Sequence, residues 1–401
     1  MQVKKLLLVG VLLALFQGIR ATALPDGTTR KLHAMGDNRT AATESSNPTE
    51  PPDLAASSAE VSISQPRLSS LILPLPPLLV PELLLPPYNF ASFNSERLDQ
   101  ELLLYSRYLR TFGKPDILIV GSSRSLQGID PIAMQEALAK QGYPGLKVFN
   151  FGINGATAQV IDVLLREVLL PEHLPRLIIW GDGLRAFNNG RPDITYQDIV
   201  ASQGYTQLQQ GDRPIPPRNQ WMALTLQAAQ KAASEAKAST SSRTRPHFAR
   251  DLTVNGFEVI TGQFNPRTYF QQYPRVAGQF DADYRNFQLT GAQMDSTIAV
   301  AQFARQNQIR LVLVNLPLTN EYLDQTRRSY EQQFHQHMRQ LASQESFIFV
   351  DLGQQAPLRQ NQYFADPSHI NQAGARAMAI ALVQNKTIPW NMLRPKAPVD
   401  E

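Results

Sequence analysis

Two short stretches of this 401-residue chain combine residue types that do acyl chemistry, Gly121-Ser122-Ser123 and Asp366-Pro367-Ser368-His369. A serine hydroxyl attacks a carbonyl effectively only when a base removes its proton. His369 is such a base, and Asp366 is a carboxylate that can orient the imidazole and stabilise its protonated form. A spacing of three residues lets both side chains leave one turn toward a common point. Each stretch also has a plainer reading. Paired serines after a strand make a polar turn or a helix cap, and Asp before Pro is a good start for a helix. Their order in the chain, and their place beside strands, select Ser123, His369 and Asp366 as the candidate catalytic set. The other histidines compete poorly: His33 falls in a linker, His173 in a turn, and His247 in a polar insertion. His335 and His337 sit on a polar helix at a spacing that cannot make an i, i+4 metal pair, so no metal site and no cofactor are expected.

The elements that must position these groups follow from the apolar pattern. Ser95 precedes a helix expected over Glu96–Thr111, with Leu98, Leu102, Tyr105 and Leu109 on one face. Short continuous apolar runs at Ile117–Val120, Lys147–Asn150, Leu177–Trp180, Leu311–Val314 and Phe347–Val350 suit strands buried on both faces of a parallel sheet. Helices are expected between them: from Asp130-Pro131, over about 156–169, near 291–306, over about 320–342, and a closing helix over about 371–383. Gly121 to Gly128 reads as a loop. Strand alternating with helix predicts an α/β fold, a three-layer doubly wound parallel sheet. Regularity lapses from about 184 to 287, where one helix near 220–238 stands out. This stretch reads as a mostly helical and irregular insertion over the sheet. Ligands of such sheets bind at the carboxyl ends of the strands. There stand Ser122 and Ser123, then Asn150, Gly152 and Asn154, then Asp182 and Gly183, and finally Asp366 and His369. Backbone N–H groups at Ser123 and Gly152 are candidate donors to the oxyanion of a tetrahedral intermediate. Asp182 is a rival orienting acid, or a sheet-end hydrogen-bonding group. Arg124 and Arg185 either hold an acidic substrate or form salt bridges.

These stretches resemble the SGNH/GDSL hydrolase superfamily, a flavodoxin-like α/β fold. Gly121-Ser122-Ser123 is similar to its first block, Asn150-Phe151-Gly152 to its second and Asp366-Pro367-Ser368-His369 to its fifth. More narrowly, Ile119–Arg124, Asn150–Thr157 and Arg185-Ala186-Phe187-Asn188 resemble the cyanobacterial family of unknown function DUF1574. The likeness covers about residues 90–385. It implies Ser123 as nucleophile, His369 and Asp366 as its partners, and the Gly152 N–H as an oxyanion donor. It also implies chemistry on ester-bearing substrates, with polysaccharide O-acetyl groups as the expected class and either water or a sugar hydroxyl as acceptor. The third block of the superfamily reads Gly-x-Asn-Asp, its asparagine a further oxyanion donor. Here the matching stretch is Gly181-Asp182-Gly183-Leu184. Asn154 and Asn188 are the candidates to replace that asparagine, and Arg124, Asp182, Arg185 and Asn188 the candidates to bind substrate. The departure keeps a second reading open, a non-catalytic envelope protein that uses the same fold for binding or assembly.

Composition bounds the rest. There are no cysteines, which excludes disulfides, thiolate metal sites and a cysteine nucleophile. Residues 1–23 carry Lys4 and Lys5, an apolar run from Leu6 to Ile19 and the small-residue stretch Ala21-Thr22-Ala23, the pattern of an export signal. The run is short for a membrane span, although an uncleaved anchor stays open. Export predicts a periplasmic or secreted protein. Without that segment, 35 basic residues face 34 acids, so the charge gives no reason to expect nucleic acid. Residues 24–88 read as a linker, polar at first and then Leu- and Pro-rich, which favours extended chain over helix. This N-terminal segment is where contact with a membrane surface is expected. The domain is expected over 89–390 and a tail over 391–401. The elbow Gly-x-Ser-x-Gly is not met, because position 125 is serine. A nucleotide-binding sheet is disfavoured, because no Gly-rich cradle follows the first strand.

Overall fold

The computed structural model describes residues 90–221, 223 and 252–394. The expected export signal, the linker and most of the helix near 220–238 lie outside them. Five strands form one parallel sheet in the order β2-β1-β3-β4-β5. They are β1 (Ile117–Gly121), β2 (Val148–Gly152), β3 (Leu177–Asp182), β4 (Arg310–Asn315) and β5 (Ile348–Asp351). All five apolar runs are strands, because residues of both parities are needed to fill two faces. Leu118 and Val120 belong to one core, Ile117 and Ile119 to the other.

The first core is covered by α1 (Glu96–Phe112), α4 (Ala158–Asp162), α8 (Ala292–Gln306) and α9 (Gln325–Glu345). The stripe Leu98, Leu102, Tyr105 and Leu109 is buried there, each such side chain contributing about 1.5–3 kcal/mol. The second core is covered by α3 (Pro131–Lys140) and α10 (Gln372–Gln384). The result is three layers. No described helix is long and apolar enough to cross a membrane.

Local chemistry sets the helix starts. Ser95 Oγ accepts from Leu98 N, and Asp130 Oδ1 accepts from Ile132 N at 2.9 Å with Pro131 at the first helical position. The long helix starts later than its pattern suggests because Asp324 caps it, and it ends at Ser346 with φ 61°. The helix expected over 156–169 begins at Ala158 and widens into a π-helical turn over Val163–Val168. The largest difference lies after β1. The stretch read as a loop contains a helix, α2 (Ser123–Gly128), with Ser122 as its cap. Six residues are too few to show a period, and α2 is held by packing.

The insertion contributes α5 (Ile194–Val200), α6 (Gln203–Gln209) and α7 (Pro266–Gln272) among its described residues. Its segment 252–257 lies along the outer edge of β2. Asn150 N donates to Asn255 O at 2.8 Å, and Asn255 Nδ2 donates to Val148 O at 2.8 Å.

At the end of β1 the chain has no room for a side chain. Gly121 has φ 144°, and a Cβ there would run into the Gly181 carbonyl of β3 and come within 2.8 Å of Ser125 Cβ. Gly121→Ala is therefore expected to cost about 2–4 kcal/mol. The measurement is the urea unfolding midpoint, and a wild-type midpoint would contradict this packing.

Candidate active site

The strand order reverses between β1 and β3, which leaves a crevice where doubly wound sheets bind ligands. Ser123 opens α2 on one side of it. Three groups fix this short helix. Ser122 Oγ accepts from Arg124 N at 3.2 Å. Ser125, wholly buried, donates from Oγ to Val120 O at 3.0 Å. Asn150, also wholly buried, donates from Nδ2 to Ser125 O at 2.9 Å and Ile129 O at 3.0 Å, tying the C-terminal end of the helix to β2.

The Asp366–His369 turn arrives from the other end of the chain. Phe364 and Ile370 form an antiparallel bridge, and Ala365 N donates to His369 O at 2.9 Å. Asn371 Nδ2 ties the turn down through Gly262 O, Gln362 O and Phe364 O, while its Oδ1 accepts from Gly374 N to cap α10. Thr319 clamps the turn from above, its N and Oγ both donating to Pro367 O. Ile370 packs against Gly128 at the far end of α2. In this way the helix that bears Ser123 and the turn that bears His369 are one packed unit.

Within it, Ser123 Oγ lies 3.1 Å from His369 Nε2, and His369 Nδ1 lies 2.6 Å from Asp366 Oδ2. Asp366 divides its two oxygens. Oδ1 accepts from the amides of Ser368 (2.7 Å) and His369 (2.8 Å), which fixes the carboxylate, and Oδ2 faces the imidazole. Burial pushes the Asp366 carboxyl up. The hydrogen bond and charge of His369 and the two amides outweigh it and hold the group at about 2. Asp366 is thus an acceptor only, so Nδ1 carries the proton and the Nε2 lone pair faces the Ser123 hydroxyl. Both His369 and Asp366 are about 30% exposed, so the site is open to solvent.

The two candidate oxyanion amides are placed differently. Ser123 N is a first-turn amide of α2 with no acceptor among the described residues. Ile153 N donates to Gly121 O, so the alternation of a strand turns the Gly152 N–H away from β1 and its crevice, to the outer side where Asn150 N meets Asn255 O. A side chain at Gly152 would strike the backbone of Leu126, so glycine is what admits α2 this close.

The other candidates are placed differently. Asp182 is 2% exposed and faces Ser122, not His369. Its Oδ2 accepts from Ser122 N at 2.9 Å, and its Oδ1 from Ser122 Oγ and Gly183 N at 3.0 Å each. Burial raises its carboxyl, opposed by Arg124 and these hydrogen bonds. Arg124 is also 2% exposed, and its Nη2 donates to Leu316 O at 2.6 Å and Pro317 O at 2.9 Å. Arg185 pairs with Asp283 at 3.2 Å. Asn188 donates to Asp283 O and accepts from Gly190 N and Gln288 N, stitching the insertion together. Asn154 is exposed and lines a separate hollow with Ser95, Arg97 and Gln100. None of these side chains donates into the space beside Ser123 Oγ. The place of the third-block asparagine has an occupant all the same. A Cβ at Gly183 would fall on Arg124 Nη1, so the missing side chain is what lets the guanidinium pass.

Sequence reasoning did not single out Ser125, Thr319 or Asn371 as positioning groups. Asn150 stood out only for its place after β2, and its role depends on a helix that the pattern does not reveal.

No protein-family model matches the chain, and no curated protein matches it. Solved structures similar to it include an acetyl xylan esterase, with a TM-score of 0.31 and 13% identity, covering 66% of this chain and 97% of that one. Another is a lipolytic protein assigned to the G-D-S-L family from Desulfitobacterium hafniense, with a TM-score of 0.31 and 13% identity, covering 67% of this chain and 97% of that one.

An asparagine placed at position 183 should harm the protein. Gly183→Asn overlaps the buried Arg124 side chain and is expected to cost about 1–3 kcal/mol. A thermal melt equal to wild type would contradict this. The Asp366 contact has an acid signature. Its folded value is lowered from 3.8 to about 2, so its stabilisation is complete above pH 3.8 and lost as pH falls through about 2. Asp366→Asn keeps an oxygen for the amides but should flatten unfolding free energy against pH in that window. The check is chemical denaturation at pH steps from 5 to 2, and an unchanged slope rejects the contact.

Proposed function

We propose that this protein is a serine esterase or O-acyltransferase of the SGNH type, with Ser123 as nucleophile, His369 as general base and Asp366 as its orienting acid. The observation that carries this reading is the relay from Ser123 Oγ to His369 Nε2 (3.1 Å) and from His369 Nδ1 to Asp366 Oδ2 (2.6 Å). The motif likeness to the SGNH blocks supports it.

The chemistry follows from the geometry. Ser123 Oγ attacks the ester carbonyl while its proton passes to His369 Nε2. The imidazolium is stabilised by Asp366, which stays ionised. The carbonyl oxygen becomes an oxyanion facing the N–H group of Ser123, such a donor contributing about 2.7–4 kcal/mol to the transition state. The C–O bond to the leaving alcohol breaks and His369 returns the proton to it. The acyl group on Ser123 then passes to water or to a sugar hydroxyl, deprotonated by the same imidazole. Arg124 stands beneath this pocket with its Nη2 bound to two carbonyls. The Ser123 amide is the backbone donor proposed for the oxyanion. Acetyl esters of polysaccharides are the proposed substrate class, which the partial exposure of His369 and Asp366 supports.

The test is turnover of p-nitrophenyl acetate by the full chain, with and without an oligosaccharide acceptor. Ser123→Ala and His369→Ala should each lower kcat by about 10³-fold or more, and Asp366→Asn by about 10²–10⁴-fold. A fluorophosphonate probe should label wild type and not Ser123→Ala. Equal turnover and equal labelling in both would replace this reading with the non-catalytic one. Acetylated oligosaccharide among the products would mark a transferase, and acetate alone a hydrolase.

A further inference from the structure

A second cluster of charged groups stands on the same rim of the sheet. Asn315 and Asp351 end β4 and β5 as register partners. Asn315 Nδ2 donates to Asp351 Oδ1 at 3.1 Å, and His335 Nδ1 of α9 contacts Asp351 Oδ2. Beside them opens a cleft of about 750 Å³ between α9 and the loops after β4 and β5. Arg328, Glu331, Gln332, His335, Gln336 and Arg339 line one wall, and their spacing of three and four puts them on one helical face. Arg359 lines the opposite side. The loop after β4 separates this cleft from His369: Leu316, Leu318 and Asn320 line the cleft, while Thr319 holds Pro367.

Two observations mark the cleft as a place for an anion, and a third as a place for hydroxyl donors. Arg328 and Arg359 are close enough to repel, since burial and then the Arg328 charge depress the Arg359 guanidinium. Among the described residues neither side chain has a hydrogen-bond or ion-pair partner, and Arg359 Nε is buried without an acceptor. The side chain of Asn315, 3% exposed, leaves Oδ1 unpartnered, as does Glu331 at Oε1. Burial raises Glu331 to about 7 against the pull of Arg124. It is therefore half neutral near pH 7, and the arginines set the sign of the cleft.

We propose that this cleft is a second binding site, for a small polyhydroxylated anion of the sugar-acid or sugar-phosphate class. Its acid group lies between Arg328 and Arg359, whose planar guanidiniums match carboxylate and phosphate oxygens. Its hydroxyls meet the side-chain amides of Asn320, Gln332 and Gln354, which both donate and accept. Arg339 lies eleven residues beyond Arg328 on α9, roughly 16 Å along the axis, so the cleft is long enough for more than one ring. The site does not depend on the catalytic role of Ser123.

The experiment is isothermal titration of the full chain and of its Ser123→Ala variant with glucuronate, glucose 6-phosphate, glucose and inorganic phosphate. At least one sugar anion should bind both proteins equally, with Kd below about 1 mM, and glucose at least about tenfold more weakly. The anion that binds more tightly distinguishes a carboxylate from a phosphate ligand. Arg328→Ala with Arg359→Gln, checked for an unchanged melt, should weaken binding about tenfold or more. Binding of neither sugar anion, binding unchanged in the arginine variant, or inorganic phosphate bound as tightly as glucose 6-phosphate overturns the proposal. Because binding is read in Ser123→Ala as well, its outcome is independent of esterase turnover.

Discussion

A buried carboxylate joins the ends of two strands. Asp182, at the end of β3, receives the N–H and hydroxyl of Ser122, at the end of β1, together with the amide of Gly183. A charge this deep is tolerated only when its oxygens are fully served. With three donors and Arg124 nearby, it is. The clasp sets where β1 hands over to α2, and so where the Ser123 hydroxyl emerges. The ends of the sheet and the base of the crevice are thus fixed by one group, and the Asp366–His369 turn has only to pack against a finished surface.

Arg124 extends the same logic sideways. It leaves α2, passes Gly183 and ends on the carbonyls of Leu316 and Pro317. An asparagine at 183 and an arginine at 124 cannot share that space. The two positions are sterically coupled: the absence of a side chain at Gly183 leaves the room that the Arg124 guanidinium fills. The arginine also adds a cation beneath the pocket, reaching toward Glu331.

The five strands were legible because each is a continuous apolar run, and burial on both faces demands that pattern. Asp130-Pro131 was legible because capping is local chemistry. The helix α2 was not. Its six residues read as polar punctuation, and their burial comes from a sheet and from α10, which no local window contains. Ser123, His369 and Asp366 could be picked from residue type and chain order, whereas the division of Asp366's oxygens could not. The fates of Asp182, Arg185 and Asn188 were hidden for a similar reason. Each partner lies across the fold, at Ser122, Asp283 and Gln288. His335 looked like one more polar residue on a polar helix. Its partner Asp351 ends the last apolar run, and only the strand register brings the two together.

Asn255 lies in the insertion, yet its backbone and side chain both bond to β2. An outer strand left bare offers a row of unpaired amides to any neighbouring molecule. Segment 252–257 occupies that row, so the irregular stretch between β3 and β4 is a shield as well as an embellishment. Anyone trimming the chain would have to keep this segment, because removing it would leave the outer side of β2 open to pairing with a neighbouring molecule.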